Sequence, residues 1–175
     1  MPTIVHGFDW PDRLVVGAIG RPGERSFYLQ ARDGRRVVSV ALEKEQSAVL
    51  AEKLDELLDE VATVEQNRFS VPPSVPRELY DVDPLDQPVE PEFRAGALSL
   101  GFDPATAQVV IEAYPIEEEI EIVTETDEDG DEVESVVEIP EPAEVFQVKI
   151  PVGSARAFVE RTREVVAAGR RPDDA

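Results

Sequence analysis

Arg25-Ser-Phe-Tyr-Leu-Gln-Ala-Arg32, the turn Asp33-Gly34, and Arg36-Val-Val-Ser-Val-Ala-Leu42 decide the fold. In the first run Phe27, Leu29 and Ala31 alternate with Tyr28, Gln30 and Arg32. That period of two is the pattern of a half-buried strand. Asp-Gly between two such runs supplies the backbone of a tight hairpin turn. Val38, Val40 and Leu42 then share one face of the returning strand. Upstream, the aliphatic Arg13-Leu-Val-Val-Gly-Ala-Ile-Gly20 reads as a strand, joined to the next by the turn Arg21-Pro-Gly-Glu24. Downstream, residues 43–66 place Leu50, Leu54, Leu57, Leu58 and Val61 at spacings of three and four, with acids largely opposite. Neither Gly nor Pro interrupts them, so this stretch reads as an amphipathic helix. The order over 13–66 is strand, strand, strand, helix.

The second half returns to that order after an interruption. Pro72, Pro73, Pro76, Pro84, Pro88 and Pro91 preclude a long helix or a central strand across 67–92. This is expected to be an extended connector lying over the surface, anchored by Phe69, Leu79 and Tyr80. Phe93 to Gly101 and Ala107 to Tyr114 read as strands. An acidic hairpin is expected over 116–139, turning at Asp127-Glu-Asp-Gly130, and Glu144 to Ile150 reads as a final strand. Ser154 is placed to cap a helix whose Ala155, Phe158, Val159, Thr162, Val165 and Val166 form one face and which Gly169 stops. Val40-Ala-Leu42 before the first helix matches Val148-Lys-Ile150 before the second. The expectation is an α+β fold in a single domain, 1–175. Two βββα-like repeats, 13–66 and 93–169, form antiparallel sheets around one core, related by a pseudo-two-fold and covered by two helices.

Composition bounds the function. The chain has 175 residues, the size of one ordinary domain, and 42% of them are hydrophobic, enough for a real core. Against 17 basic side chains stand 38 acidic ones, a net charge of −21. Residues 112–144 hold 15 acidic groups and no basic one. Such a body repels phosphate backbones and anionic lipids, so direct nucleic-acid or membrane binding is not expected. With no Cys and a single His, disulfides, thiolate metal sites, cysteine nucleophiles and multi-histidine sites are excluded. No apolar run approaches 18 residues, and the first residues lack the pattern of a signal peptide, which points to the cytoplasm.

Candidate sites are few. His6 has Asp9 and Asp12 nearby in sequence, but no nucleophile context accompanies it, so no catalytic residue is assigned. Glu125 to Val136 carries carboxylates at positions one, three and five and Gly130 at six, as a calcium loop does. Its twelfth residue is Val136 and its flanks read as strands, so the stretch is read as an acidic hairpin. Gly17, Gly20 and Gly23 lack the following helix that a phosphate loop needs. No cofactor and no metal ligand is assigned. Arg32, Arg35 and Arg36 crowd one hairpin end, where guanidiniums are suited to hold phosphate or carboxylate; salt bridging to the abundant acids is the simpler role. Glu117, Glu118, Glu119 and Glu121 are the candidate contacts for a protein partner of basic character. The expected function is a non-enzymatic acidic binding or adaptor module. Its alternatives are a phosphorylated-ligand protein or enzyme using the arginine cluster, and a structural subunit of a homo-oligomer.

Ile4-Val-His-Gly-Phe-Asp-Trp-Pro-Asp-Arg13, Phe27-Tyr-Leu-Gln-Ala-Arg-Asp-Gly-Arg35 and Ser39-Val-Ala-Leu-Glu-Lys44 carry a family resemblance, as do Ile150-Pro-Val-Gly-Ser-Ala-Arg-Ala-Phe158 and Val165-Val-Ala-Ala-Gly-Arg170. With these the chain resembles an uncharacterised actinobacterial repeat-protein family, a domain of unknown function. The resemblance covers nearly the whole chain and implies no activity. Members tend to be encoded beside a histidine-phosphatase-like and a lipid-kinase-like protein, which implies a shared pathway. Many continue into a short cysteine-containing tail resembling a zinc ribbon. This sequence departs there, ending Gly169-Arg-Arg-Pro-Asp-Asp-Ala175 without Cys, so no metal role of that tail transfers to it.

Overall fold

Short alternating runs build the strands in the order in which the chain supplies them. The computed structural model describes residues 3–21, 23–63, 72, 76–116, 122–136 and 143–168. The elements are β1 (Ile4–Asp9), β2 (Arg13–Ile19), β3 (Ser26–Asp33), β4 (Arg36–Leu42), α1 (Lys44–Thr63), β5 (Pro91–Asp103), β6 (Gln108–Pro115), β7 (Ile122–Thr126), β8 (Glu132–Val136), β9 (Glu144–Pro151) and α2 (Val152–Ala168). The molecule is α+β. Seven strands form one sheet in the order β1-β9-β6-β5-β4-β3-β2, while β7 and β8 pair with each other as a separate hairpin.

The expected antiparallel arrangement holds for most neighbours but not all. β4 runs parallel to β5, and β1 runs parallel to β9. The triplets β2-β3-β4 and β5-β6-β9 therefore run in the same sense side by side. The reason is the connection. A parallel neighbour needs a long crossover, and α1 with the connector after it provides one.

β5 is the hinge of the sheet. Its first residues, Pro91 to Arg94, pair with β4, and Ala95 to Asp103 pair with β6. Between Ala95 and Ala97 the register slips by a bulge, with Gly96 at the slip. A Cβ on Gly96 would sit 2.7 Å from the Ile116 Cα and 3.1 Å from the Pro115 carbonyl oxygen. Bulges of this kind bend a strand and let it pass from one sheet direction to another. The consequence is a curled sheet. β1 and β2 lie at opposite ends of the strand order, yet three residues join them. Arg36 at the start of β4 donates to the Gly7 carbonyl of β1 at 2.8 Å and stacks 4.2 Å over the Phe8 ring. The Gly34 N–H donates to Asp12 at 2.8 Å.

One hydrophobic cluster fills the curl. It draws on Phe8, Val16, Leu29, Val40, Ile111, Phe146 and Val148 from the sheet, on Leu50, Leu54 and Leu58 from α1, and on Phe158 and Val159 from α2. Burying each such side chain contributes about 1.5–3 kcal/mol. α1 starts with the Glu43 N–H donating to the Gln46 side chain, a reach-back of the capping-box kind. α2 begins at Val152, directly after β9, so Ser154 lies inside its first turn rather than capping it.

Among the described residues, the connector is anchored at Tyr80 and at a further position, Leu85. Phe69 lies outside the described residues, and Leu79 is exposed, although its side chain lies near Gly153. Tyr80 is half-buried and hydrogen-bonds Glu164. The buried apolar anchor is Leu85, seated on the side of β2 away from the main core. A Cβ on Gly17 would meet the Leu85 side chain at 2.5 Å, so the glycine leaves the socket that this leucine fills.

Candidate functional site

Strand alternation sends Val16 of β2 into the main core and Arg13, Val15 and Gly17 to the opposite side, beneath the connector. Arg13 is 8% exposed, and the connector supplies its partners. It donates to Asp81 at 2.6 and 3.1 Å, to Asp86 at 3.2 Å and to the Asp83 carbonyl at 2.6 Å. Arg161 of α2, 7% exposed, donates to the Asp81 carbonyl at 2.7 Å, to its carboxylate at 3.3 Å and to the Val16 carbonyl at 3.2 Å. Gln30 ties Asp86 from both sides, its side chain bonding the Asp86 N–H and carbonyl at 2.8 and 3.1 Å.

The charges in this network act on one another in both directions. Burial opposes the charge on Arg13, yet the hydrogen bonds and charges of Asp81 and Asp86 outweigh it and hold the guanidinium above its ordinary pKa. Burial also raises the Asp81 carboxyl. Hydrogen bonds from Arg13 and the Asp83 N–H, with the charges of Arg13 and Arg161, overcome it and hold Asp81 below the usual carboxylate range. Arg161 moves the other way: burial lowers it, and the help of Asp81 is countered by the neighbouring Arg13 charge. Beside the network lies a groove of about 380 Å³, lined in part by Trp10, Leu79, Val82 and Phe158. Trp10 is 69% exposed and has φ of +55°, a left-handed conformation uncommon for a bulky residue.

A second arginine works the same way elsewhere. Arg156 of α2 spans to α1, donating to Asp55 and Asp59 at 2.8 Å each and to the Pro72 carbonyl at 3.0 Å. Among the described residues, no buried side-chain nitrogen or oxygen lacks a hydrogen-bond partner. The buried guanidiniums are thus satisfied by the protein itself.

Arg32, Arg35 and Arg36 stand at the β3–β4 hairpin end, as the sequence places them. Arg32 is ion-paired with Asp86 at 2.9 Å, Arg36 is engaged by Gly7 and Phe8, and Arg35 is exposed on the turn. Glu117, Glu118, Glu119 and Glu121 lie outside the described residues. The hairpin they lead into is described: β7 and β8 pair antiparallel from Ile122↔Val136 to Thr126↔Glu132. Its flanks are therefore strands. At the tip the Asp127 carboxylate accepts the N–H groups of Asp129 and Asp131 at 3.0 and 2.7 Å, and Gly130 takes φ of +83°. Glu128, Asp129, Asp131 and Glu132 are exposed around it.

A set of residues not evident from the sequence completes the picture. His6 of β1, Glu92 of β5 and Glu144 of β9 bring one donor atom each within 4.8 Å of one another. The His6 Nε2 lies 3.2 Å from a Glu144 carboxylate oxygen. These are the residues that could hold a metal. The sequence hides them because His6 and Glu144 are 138 positions apart. The available signal was slight, the apolar Ile4, Val5 and Phe8 around the sole imidazole of the sequence.

A curled mixed sheet with two helices, whose buried arginines are paired within the protein, defines an α+β protein with a charged network beneath its connector and a separate acidic hairpin. The chain belongs to the family described as a protein of unknown function (DUF3090), whose model matches residues 6–173. No curated protein and no solved structure matches it. Among the described residues, no helix is long and apolar enough to cross a membrane.

Proposed function

We propose that this protein is a non-enzymatic binding module that presents its acidic hairpin to a basic protein partner. The observation that carries this reading is the hairpin's separateness. β7 and β8 pair only with each other among the described strands, and the acids at their tip are exposed. The long run of acids without a basic residue around it supplies a field that speeds encounter and selects an oppositely charged surface. The buried arginines, by contrast, are occupied with internal carboxylates and carbonyls, which suits a structural role. The reading also treats β2-β3-β4-α1 and β5-β6-β9-α2 as two copies of one βββα unit laid side by side. The hairpin is then an insertion present in the second unit and lacking in the first.

The test is capture from the protein's own host at low and at high salt, followed by mass spectrometry. The intact chain should retain a basic protein at low salt and release it at high salt. Replacing Glu117, Glu118, Glu119 and Glu121 with Gln should weaken retention at least tenfold. Equal retention by both chains overturns the hairpin's role. A phosphorylated ligand at Arg32, Arg35 and Arg36 is the weaker reading, because two of these three already have partners within the protein. The third reading, a structural subunit of a homo-oligomer, is separated from a monomeric adaptor by light scattering.

A further inference from the structure

We propose that His6, Glu92 and Glu144 bind one borderline divalent cation of the zinc class at the mouth of the curled sheet. The proposal does not rest on the hairpin reading. Three strands converge to make the cluster. In the parallel pairing of β1 with β9, Ile4 stands opposite Glu144 and His6 opposite Phe146, so His6 and Glu144 share the face that carries Phe8 and Phe146 into the core. They sit where that face meets solvent, with side chains 17% and 27% exposed. Glu92 at the start of β5 approaches from across the mouth, and the ring of the adjacent Phe93 lies 6.5 Å from the imidazole. The set thus has an apolar floor and an open outer side.

The chemistry of the donors selects the ion. Hard cations such as calcium and magnesium take oxygen ligands, whereas an imidazole nitrogen favours zinc and its transition-metal neighbours. Two donors bound to one tetrahedral zinc lie about 3.4 Å apart, given bonds of roughly 2.0–2.2 Å. The His6–Glu144 separation of 3.2 Å already matches. The remaining closure falls to Glu92, whose side chain is exposed and free to turn. Three protein ligands leave a fourth position for water or a ligand, the arrangement of open rather than purely structural zinc sites.

Charge supplies a second observation. Asp55, Asp81 and Asp86 are each held by an arginine. Among the described residues, neither Glu92 nor Glu144 has an ion pair with Arg or Lys, and Glu144 is partly buried beside a second carboxylate. A metal ion binds such donors as two carboxylates and an unprotonated imidazole, a ligand set of charge about −2 that a dication neutralises.

The experiment is zinc binding by the full, chelator-treated chain in physiological salt, read by competition with a chromophoric chelator. One zinc per chain should bind with micromolar or tighter affinity. His6→Gln, Glu144→Gln and Glu92→Gln should each weaken it at least tenfold. A hairpin variant, with Glu128→Gln, Asp129→Asn and Glu132→Gln, should keep it. Because Glu92 is exposed, its substitution tests the site without threatening the fold, and circular dichroism checks all variants. Zinc affinity unchanged by His6→Gln and Glu92→Gln, affinity lost in the hairpin variant, or displacement by an equal concentration of magnesium would each overturn the proposal.

Discussion

Asp81 holds two guanidiniums at once, Arg13 at 2.6 Å and Arg161 at 3.3 Å, and so joins β2, α2 and the connector. Removing its charge leaves the nearly buried Arg161 without an ion-paired carboxylate and Arg13 with Asp86 alone. Breaking one side of a buried pair costs about 3–5 kcal/mol; Asp81 is 26% exposed, which reduces that figure. Asp81→Asn should therefore lower stability by roughly 2–3 kcal/mol in urea unfolding, and a change under about 0.5 kcal/mol would refute the assignment. The pH dependence has a definite sign. The Asp81 pKa is depressed in the folded state, so its stabilisation is complete above the unfolded value near 3.8. It falls as pH drops below that value and is gone once pH passes the lower, folded pKa. The Asn variant should lack this share of the acid dependence. None of these partners was legible in the sequence. Arg13 meets Asp81 and Asp86 across 68 and 73 positions, and only folding shows which of 38 acids each arginine meets.

At the scale of elements, local chemistry was a good guide wherever a run is half-buried. β2, β3, β4, β6, β9 and α1 lie within a residue or a few of where alternation and helical spacing place them, because burial of one face imposes the pattern directly. β1 escaped because it is a short edge strand with Ile4 and Val5 exposed, so its alternation carries little core signal. The start of α2 escaped because β9 runs into it without a linker that would mark the boundary. The bulge in β5 left a trace, Gly96, whose meaning depends on a neighbour that the sequence does not reveal. There a side chain would strike the Ile116 backbone rather than a movable side chain. Gly96→Ala should cost about 1–3 kcal/mol, as overpacking does, and lower the melting temperature by several degrees. Gly101→Ala, where an added Cβ meets nothing within 4 Å, is the matched control. Equal effects at the two positions would show that the tight approach at the bulge carries no weight.

For the whole molecule, the question is whether the two strand triplets stand alone or as one unit. Their meeting line is the parallel β4–β5 pairing, which registers over only Ser39–Ala41 against Pro91–Arg94. So short a seam would hold two independent halves loosely. The core argues otherwise, because a single cluster runs from Phe8 and Leu29 through Leu54 to Ile111, Phe146 and Phe158. The curl that closes this cluster was not legible in the sequence. It depends on the bulge, on the crossover that makes β4 and β5 parallel, and on β1 leaving one edge for the other within three residues. Arg156 adds a polar tie between α1 and α2, so the helices also link the halves. Unfolding should therefore be one cooperative transition in which a wound to either half destabilises both. Leu29→Ala and Ile111→Ala each remove a fully buried side chain and should each cost about 2–5 kcal/mol. Each should shift the far-ultraviolet and tyrosine-absorbance transitions together in urea. A biphasic curve, or a shift confined to one probe, would show that the triplets unfold separately and that the shared core does not couple them.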